Sequence, residues 1–128
     1  MDGMSLATAK HPTCMTDAER IDTLKELGYA KREAAFLSLA ALHSGSFFRR
    51  QYQAFAGYRG QVEERFLGRA ESLRHIRSAV YSNRTEVYHV FARAIYRAIG
   101  EEDNRHRRPR PNFSIKAKLM ALDFVLAH

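Results

Sequence analysis

Between Arg77 and Phe91 the chain reads RSAVYSNRTEVYHVF, and this stretch restricts the possible folds more than any other. Ile76, Ser78 and Val80 alternate with Arg77 and Ala79. Beyond Ser82-Asn83 a second alternation sets Val87, His89 and Phe91 against Tyr88 and Val90. A period of two, rich in β-branched and aromatic residues and broken by a turn-forming Ser-Asn, specifies a two-stranded hairpin. The pattern turns Ile76, Val87 and Phe91 toward the rest of the protein and leaves Arg84 at the tip.

Everything around the hairpin is helical in pattern. Thr16 or Asp17 caps a helix that runs to Leu27 and closes at Gly28. AKREAAFLSLAALHSG is the strongest helix, with an apolar face of Phe36, Leu37, Leu39, Ala40 and Leu42, stopped by Gly45. A short extended Phe47-Phe48 enters a helix over about residues 49–55, with Tyr52 and Phe55 inward, and Gly57 and Gly60 bracket a tight turn. The next helix spans about residues 60–73. At about 100° per residue, Val62, Phe66, Ala70 and Leu73 share one side. Gln61, Arg65, Gly68 and Ser72 share the other, with Glu64 and Arg69 on its flanks. After the hairpin, ARAIYRAIG is a helix ending at Gly100, and EEDNRHRRPRPN is a linker in which Pro109 and Pro111 forbid a helix. FSIKAKLMALDFVLAH closes the chain as a helix with Ile115, Leu119, Leu122 and Leu126 on one side.

These elements predict a mainly α fold with a small β-hairpin, in the α+β class. Residues 1–15 form a flexible N-terminus, 16–100 the folded domain, 101–112 a basic linker and 113–128 the C-terminal helix. That last helix must bury Met120, Leu122, Phe124, Val125 and Leu126. It folds back on the core, pairs with its counterpart in a homodimer, or presents a face to a further domain; the homodimer is the favoured expectation.

The net charge of +7 is unevenly placed. Residues 1–48 hold 5 Lys/Arg against 6 Asp/Glu, residues 49–110 hold 14 against 7, and residues 111–128 hold 2 against 1. The excess thus lies in the middle, where every cation is Arg. The guanidinium fork engages phosphate oxygens or a guanine edge through paired hydrogen bonds, which Lys cannot do. A polyanion partner follows as the first expectation. One cysteine, Cys14, permits no intrachain disulfide, and no apolar run suits a membrane span or a signal peptide, so a cytoplasmic protein is expected.

The order helix, short strand, helix, tight turn, helix, hairpin, helix resembles a winged helix-turn-helix domain over roughly residues 30–100. More loosely, the Phe-Phe-Arg-Arg-Gln-Tyr and Val-Tyr-His segments resemble winged-helix proteins of plasmids and integrative elements, including the replication-relaxation type. The resemblance implies a positioning helix at about 49–56, a recognition helix at about 60–73 and a wing at about 74–91. It implies sequence-specific binding of double-stranded DNA and regulation of transcription or replication of a mobile element. Gln61, Arg65, Arg69 and Ser72 would then read bases, on a face slim enough for a groove about 12 Å wide. Arg49, Arg50, Arg59, Arg77 and Arg84 would meet phosphates. Arg105, Arg107, Arg108 and Arg110 would form an arm along the backbone or in a narrow minor groove. Glu63 and Glu64 oppose deep insertion and favour the alternative, a protein-docking module built on the same fold.

Catalysis finds little to work with. The six histidines show no metal-ligand spacing, a lone Cys builds no thiolate site, and Gly57 and Gly60 lack the strand and Lys/Ser context of a phosphate loop. No enzyme, cofactor or metal is expected.

Overall fold

The computed structural model describes residues 15–57, 61–82, 85–104, 106 and 112–127. Helix α1 spans Asp17–Glu26 and α2 spans Lys31–His43; β1 is Ser46–Phe48, α3 Arg49–Ala56 and α4 Gln61–Ser72. The hairpin follows as β2, Ile76–Ser82, and β3, Thr85–Val90; α5 is Arg93–Ala98 and α6 Asn112–Ala127. The fold is mainly helical, with a small three-stranded antiparallel sheet in the order β1-β3-β2. The expected hairpin is therefore extended by a third strand: Phe47 pairs with Tyr88 and Phe48 with Val87.

Local chemistry explains where the helices begin. Thr16 Oγ1 accepts the Glu19 N–H at 3.1 Å while Glu19 Oε1 accepts the Thr16 N–H at 2.8 Å, a reciprocal cap for α1. Ala30 and Phe48 carry no capping oxygen. Glu33 and Gln51 supply half a cap each, accepting the Ala30 N–H at 2.9 Å and the Phe48 N–H at 2.8 Å. Gly57, at φ +71°, ends α3 in the left-handed region that glycine enters without strain.

The core is aromatic. Phe36, Phe47, Tyr52 and Phe66 are fully or almost fully buried, and Phe66 lies 4.4 Å from Tyr52 between ring centroids. Phe36 meets Phe47 edge-on at 5.0 Å. From the sheet, Ile76, Tyr88 and Val90 join this cluster. This corrects the phase expected for β3. Val87 is buried apart from the main cluster, and Phe91 is half-buried beneath the Arg77 guanidinium, 4.6 Å from its ring centroid.

Helix α6 packs on α2, β1 and α3, and its Leu119 and Leu122 are buried, Leu122 within the common core. The C-terminal helix thus folds back on the domain. Met120 and Phe124, 62% and 65% exposed, remain at its outer side. The joint is Gln51: besides capping α3, its Nε2 donates to the Leu119 carbonyl at 3.0 Å and to Asp123 Oδ1 at 2.8 Å. Among the described residues no helix is long and apolar enough to cross a membrane.

Tyr29 and His75 form a buried polar contact, with Tyr29 Oη 2.7 Å from His75 Nδ1. Burial pushes the His75 pKa below its ordinary value. The unfolded imidazole titrates near about 6.5, so below that pH the unfolded state binds more protons and gains free energy. Stability is therefore full above about pH 6.5 and falls on acidification toward the lower folded pKa. Urea midpoints measured between pH 7.5 and 5.5 should decline, and decline less in His75→Asn, which retains an acceptor for Tyr29.

Candidate nucleic-acid interface

Helix α4 turns Phe66, Leu67 and Ala70 into the core and leaves Glu64, Arg65, Gly68, Glu71 and Ser72 exposed. Arg65, Gly68 and Ser72 thus share the outward face expected of them. Gln61 opens the helix, but its side chain lies outside those described. Leu73, expected inward, is 44% exposed because α4 stops at Ser72.

Arg69 stands elsewhere than on an open flank. Its Nη1 donates to Glu33 Oε1, tying α4 to the start of α2, and Glu33 is buried. Glu63 likewise faces inward, 2% exposed. Its Oε1 accepts from Gln53 Nε2, and its Oε2 lies 2.8 Å from Arg49 Nη1, a close charge contact without hydrogen-bond alignment. A carboxylate expected to oppose a duplex is thus withdrawn into the α3–α4 joint. Glu64 stays outside, joined there by Glu71.

Two further arginines expected on phosphate have partners within the fold. Arg49 also donates from Nη2 to the Tyr88 hydroxyl at 3.1 Å. Arg50 meets Asp123 through two hydrogen bonds of 3.2 Å each. Burial works to raise the Asp123 pKa, but the hydrogen bonds from Arg50 and Gln51 outweigh it and hold the carboxyl below its usual value. Between the start of α3 and the outer part of the hairpin runs an open groove of about 770 Å³, lined by Arg49, Arg50, Gln53, Val80, Thr85 and Glu86 among others. It mixes both signs of charge.

Arg77 is exposed on β2, stacked on Phe91, and pairs across the sheet with His89. Arg59, Arg84, Arg105, Arg107, Arg108 and Arg110 lie outside the described residues, as does Cys14.

The sequence pattern did not single out Arg74. The Arg74 N–H donates to the Glu71 carbonyl at 3.0 Å and the His75 N–H to the Ala70 carbonyl at 2.9 Å. This doubly bonded helix end requires a left-handed residue, normally Gly, at its turning point. Arg74 occupies it at φ 61°, alone among described non-glycine residues in having positive φ, with its side chain exposed. A left-handed L-residue costs about 1–2 kcal/mol. Nothing in the sequence marks it, since Arg is not a helix-stop residue.

Gly68 is its counterpart inside α4. A Cβ there would meet nothing within 4 Å, so no internal contact demands a glycine. A mid-helix Gly costs about 1 kcal/mol relative to Ala.

Among the described residues no cluster of His, Cys, Asp and Glu could hold a metal ion. Comparison of the chain with protein-family models, curated proteins and solved structures found no match.

Proposed function

We propose that the chain is a winged helix-turn-helix module that binds double-stranded DNA in a sequence-dependent way and acts as a regulator. In this reading α3 positions α4, α4 enters the major groove, and the β2–β3 hairpin is the wing. Element order and sheet order support it: β1 lies between α2 and α3, and the hairpin directly follows α4. Regulation of transcription or replication on a mobile element rests on the resemblance of the short Phe-Phe-Arg-Arg-Gln-Tyr and Val-Tyr-His segments alone.

One observation carries the proposal. The outward side of α4 and its end hold two residues that cost the fold stability, Gly68, where a Cβ would meet nothing within 4 Å, and Arg74, an exposed side chain held at positive φ. Locally unfavourable residues of this kind cluster at functional sites. A glycine allows close backbone approach to a groove edge or phosphate, and an exposed arginine at the helix end supplies a cation. Arg65, Arg74 and Arg77 are all exposed, and none has a carboxylate partner among the described residues. The base-reading set is then Gln61, Arg65 and Ser72; Arg69 serves the α2–α4 joint. Arg74 and Arg77 take phosphates, with Arg59, Arg84 and the Arg105–Arg110 segment as further proposed contacts.

The test reads stability and affinity on the same proteins. Gly68→Ala and Arg74→Gly should each raise unfolding stability by about 1 kcal/mol. Both should weaken DNA binding, and Arg74→Gly should reduce the slope of log K against log salt by about one unit. Arg65→Ala should lower the preference for the enriched sequence over random DNA. Stabilised variants with undiminished affinity would remove the main support.

Glu64 and Glu71 favour a second reading, since they place two carboxylates on the same outward face as Arg65. A protein partner with a basic surface would tolerate them better than a duplex would.

A further inference from the structure

The two edges of the sheet differ. β1 is three residues long and has α6 packed against it. At the other end of the order β1-β3-β2, β2 is seven residues long, and Arg77, Ser78, Ala79 and Val80 are all exposed.

The phase of the ladder fixes which groups β2 leaves over. The Val90 N–H points toward β1 and donates to the Gly45 carbonyl at 2.8 Å; the Phe91 N–H points toward β2 and donates to the His75 carbonyl at 3.2 Å. Along an antiparallel strand this direction alternates. Arg77 and Ala79, opposite His89 and Val87, therefore bond inward to β3. Ser78 and Val80 turn their N–H and C=O groups outward, and among the described residues no other backbone group bonds to them. Proteins usually blunt such an edge with lysine, proline or a bulge. The bulge of β2 comes only after Val80, and its sequence IRSAVYS holds neither Lys nor Pro. Its one charge, Arg77, is drawn back over the Phe91 ring.

The geometry points to strand addition: the β2 edge takes up an extended segment of another protein, antiparallel to β2, with an apolar residue facing Val80 and, three positions later, an acid facing Arg77. Main-chain hydrogen bonds to Ser78 and Val80 hold such a segment, and its side chains select it. Val80 is 71% exposed and offers the apolar contact. Arg77 and the residue opposite it form a non-hydrogen-bonded pair, the arrangement that brings side chains closest. Glu86, opposite Val80 on β3, lies on the other face of the sheet from Arg77. A second copy of this chain suits the edge less well. It would bring the same +7 charge rather than an acid. A contact confined to residues 76–80 is also far smaller than the roughly 800 Å² per partner that a stable pair of copies buries. The inference does not rest on DNA binding.

Selection of random linear peptides, displayed on phage, against the full chain without nucleic acid tests it. Enriched sequences should carry an apolar residue followed three positions later by Asp or Glu, and Arg77→Glu should replace that acid by Lys or Arg. Ser78→Pro removes only an outward N–H, where an edge strand tolerates proline. It should weaken the enriched peptides about tenfold or more, because the peptide carbonyl loses its donor. Independently of any variant, an enriched peptide should slow amide exchange at Ser78 and Val80 and change Arg77 and Ala79 little. No enrichment, a motif indifferent to Arg77→Glu, affinity retained in a folded Ser78→Pro, or binding without protection at Ser78 would each overturn strand addition. Protection at Ser78 that rises with protein concentration alone would also overturn it, by assigning the edge to a second copy.

Discussion

Phe66→Ala is expected to cost the fold about 3–5 kcal/mol, the usual loss when a fully buried aromatic is cut back to a methyl. Phe66 is 0% exposed, and its ring centroid lies 4.4 Å from Tyr52, 6.1 Å from Tyr29, 6.2 Å from Phe36 and 6.3 Å from Phe47. These rings come from α2, α3, β1 and the turn before α2. One side chain of α4 therefore meets the elements that set its orientation. The loss compares with the total stability of a small domain, about 5–15 kcal/mol. Urea unfolding should show the midpoint moving sharply down, with Phe66→Leu losing far less. An Ala variant within about 1 kcal/mol of wild type would mean that this cluster does not hold α4 in place.

Arg49→Ala is the second large effect, and it separates a structural role from a DNA contact. Removing the guanidinium leaves Glu63, 2% exposed, with Gln53 but no countercharge. Deleting one member of a buried ion pair costs about 3–5 kcal/mol because the remaining charge is stranded. Arg49 itself is 43% exposed at its side chain, which places the expected loss toward the lower end. The double variant Arg49→Ala/Glu63→Gln should recover much of the stability, since no buried charge is left behind. If Arg49→Ala unfolded like wild type yet bound DNA poorly, Arg49 would be a phosphate contact after all.

Element type was legible from residue pattern because glycines stand where the helices stop, at Gly28, Gly45, Gly57 and Gly100, and each adopts positive φ. The hairpin was legible from its alternation. Which face of β3 meets the core was not, because both faces are covered: Tyr88 and Val90 join the aromatic cluster, while Val87 on the other face is buried as well. A strand covered on both sides loses the apolar-in, polar-out signal that fixes its phase. Leu73 misled for a different reason. A helical wheel assumes the helix continues, but α4 stops at Ser72 and Leu73 just beyond it is 44% exposed.

The candidate interface was legible where it depends on the helical period alone, as with Arg65, Gly68 and Ser72. It was not where long-range pairing decides. Arg69 and Glu33 are 36 residues apart, and Arg50 and Asp123 are 73 apart. No local pattern assigns such partners, so arginines that read as available cations prove to be joints between helices. Conversely, burial of Glu63 removes one of the objections to groove insertion that the sequence had raised.

The most direct measurement exposes the full chain to fragmented genomic DNA at several salt concentrations, sequences the retained fragments, and follows affinity for the enriched site as salt rises. DNA binding through α4 and the hairpin predicts enrichment of a defined sequence, with log K falling linearly as log salt increases. No enrichment at any salt, or an affinity indifferent to salt, would contradict it.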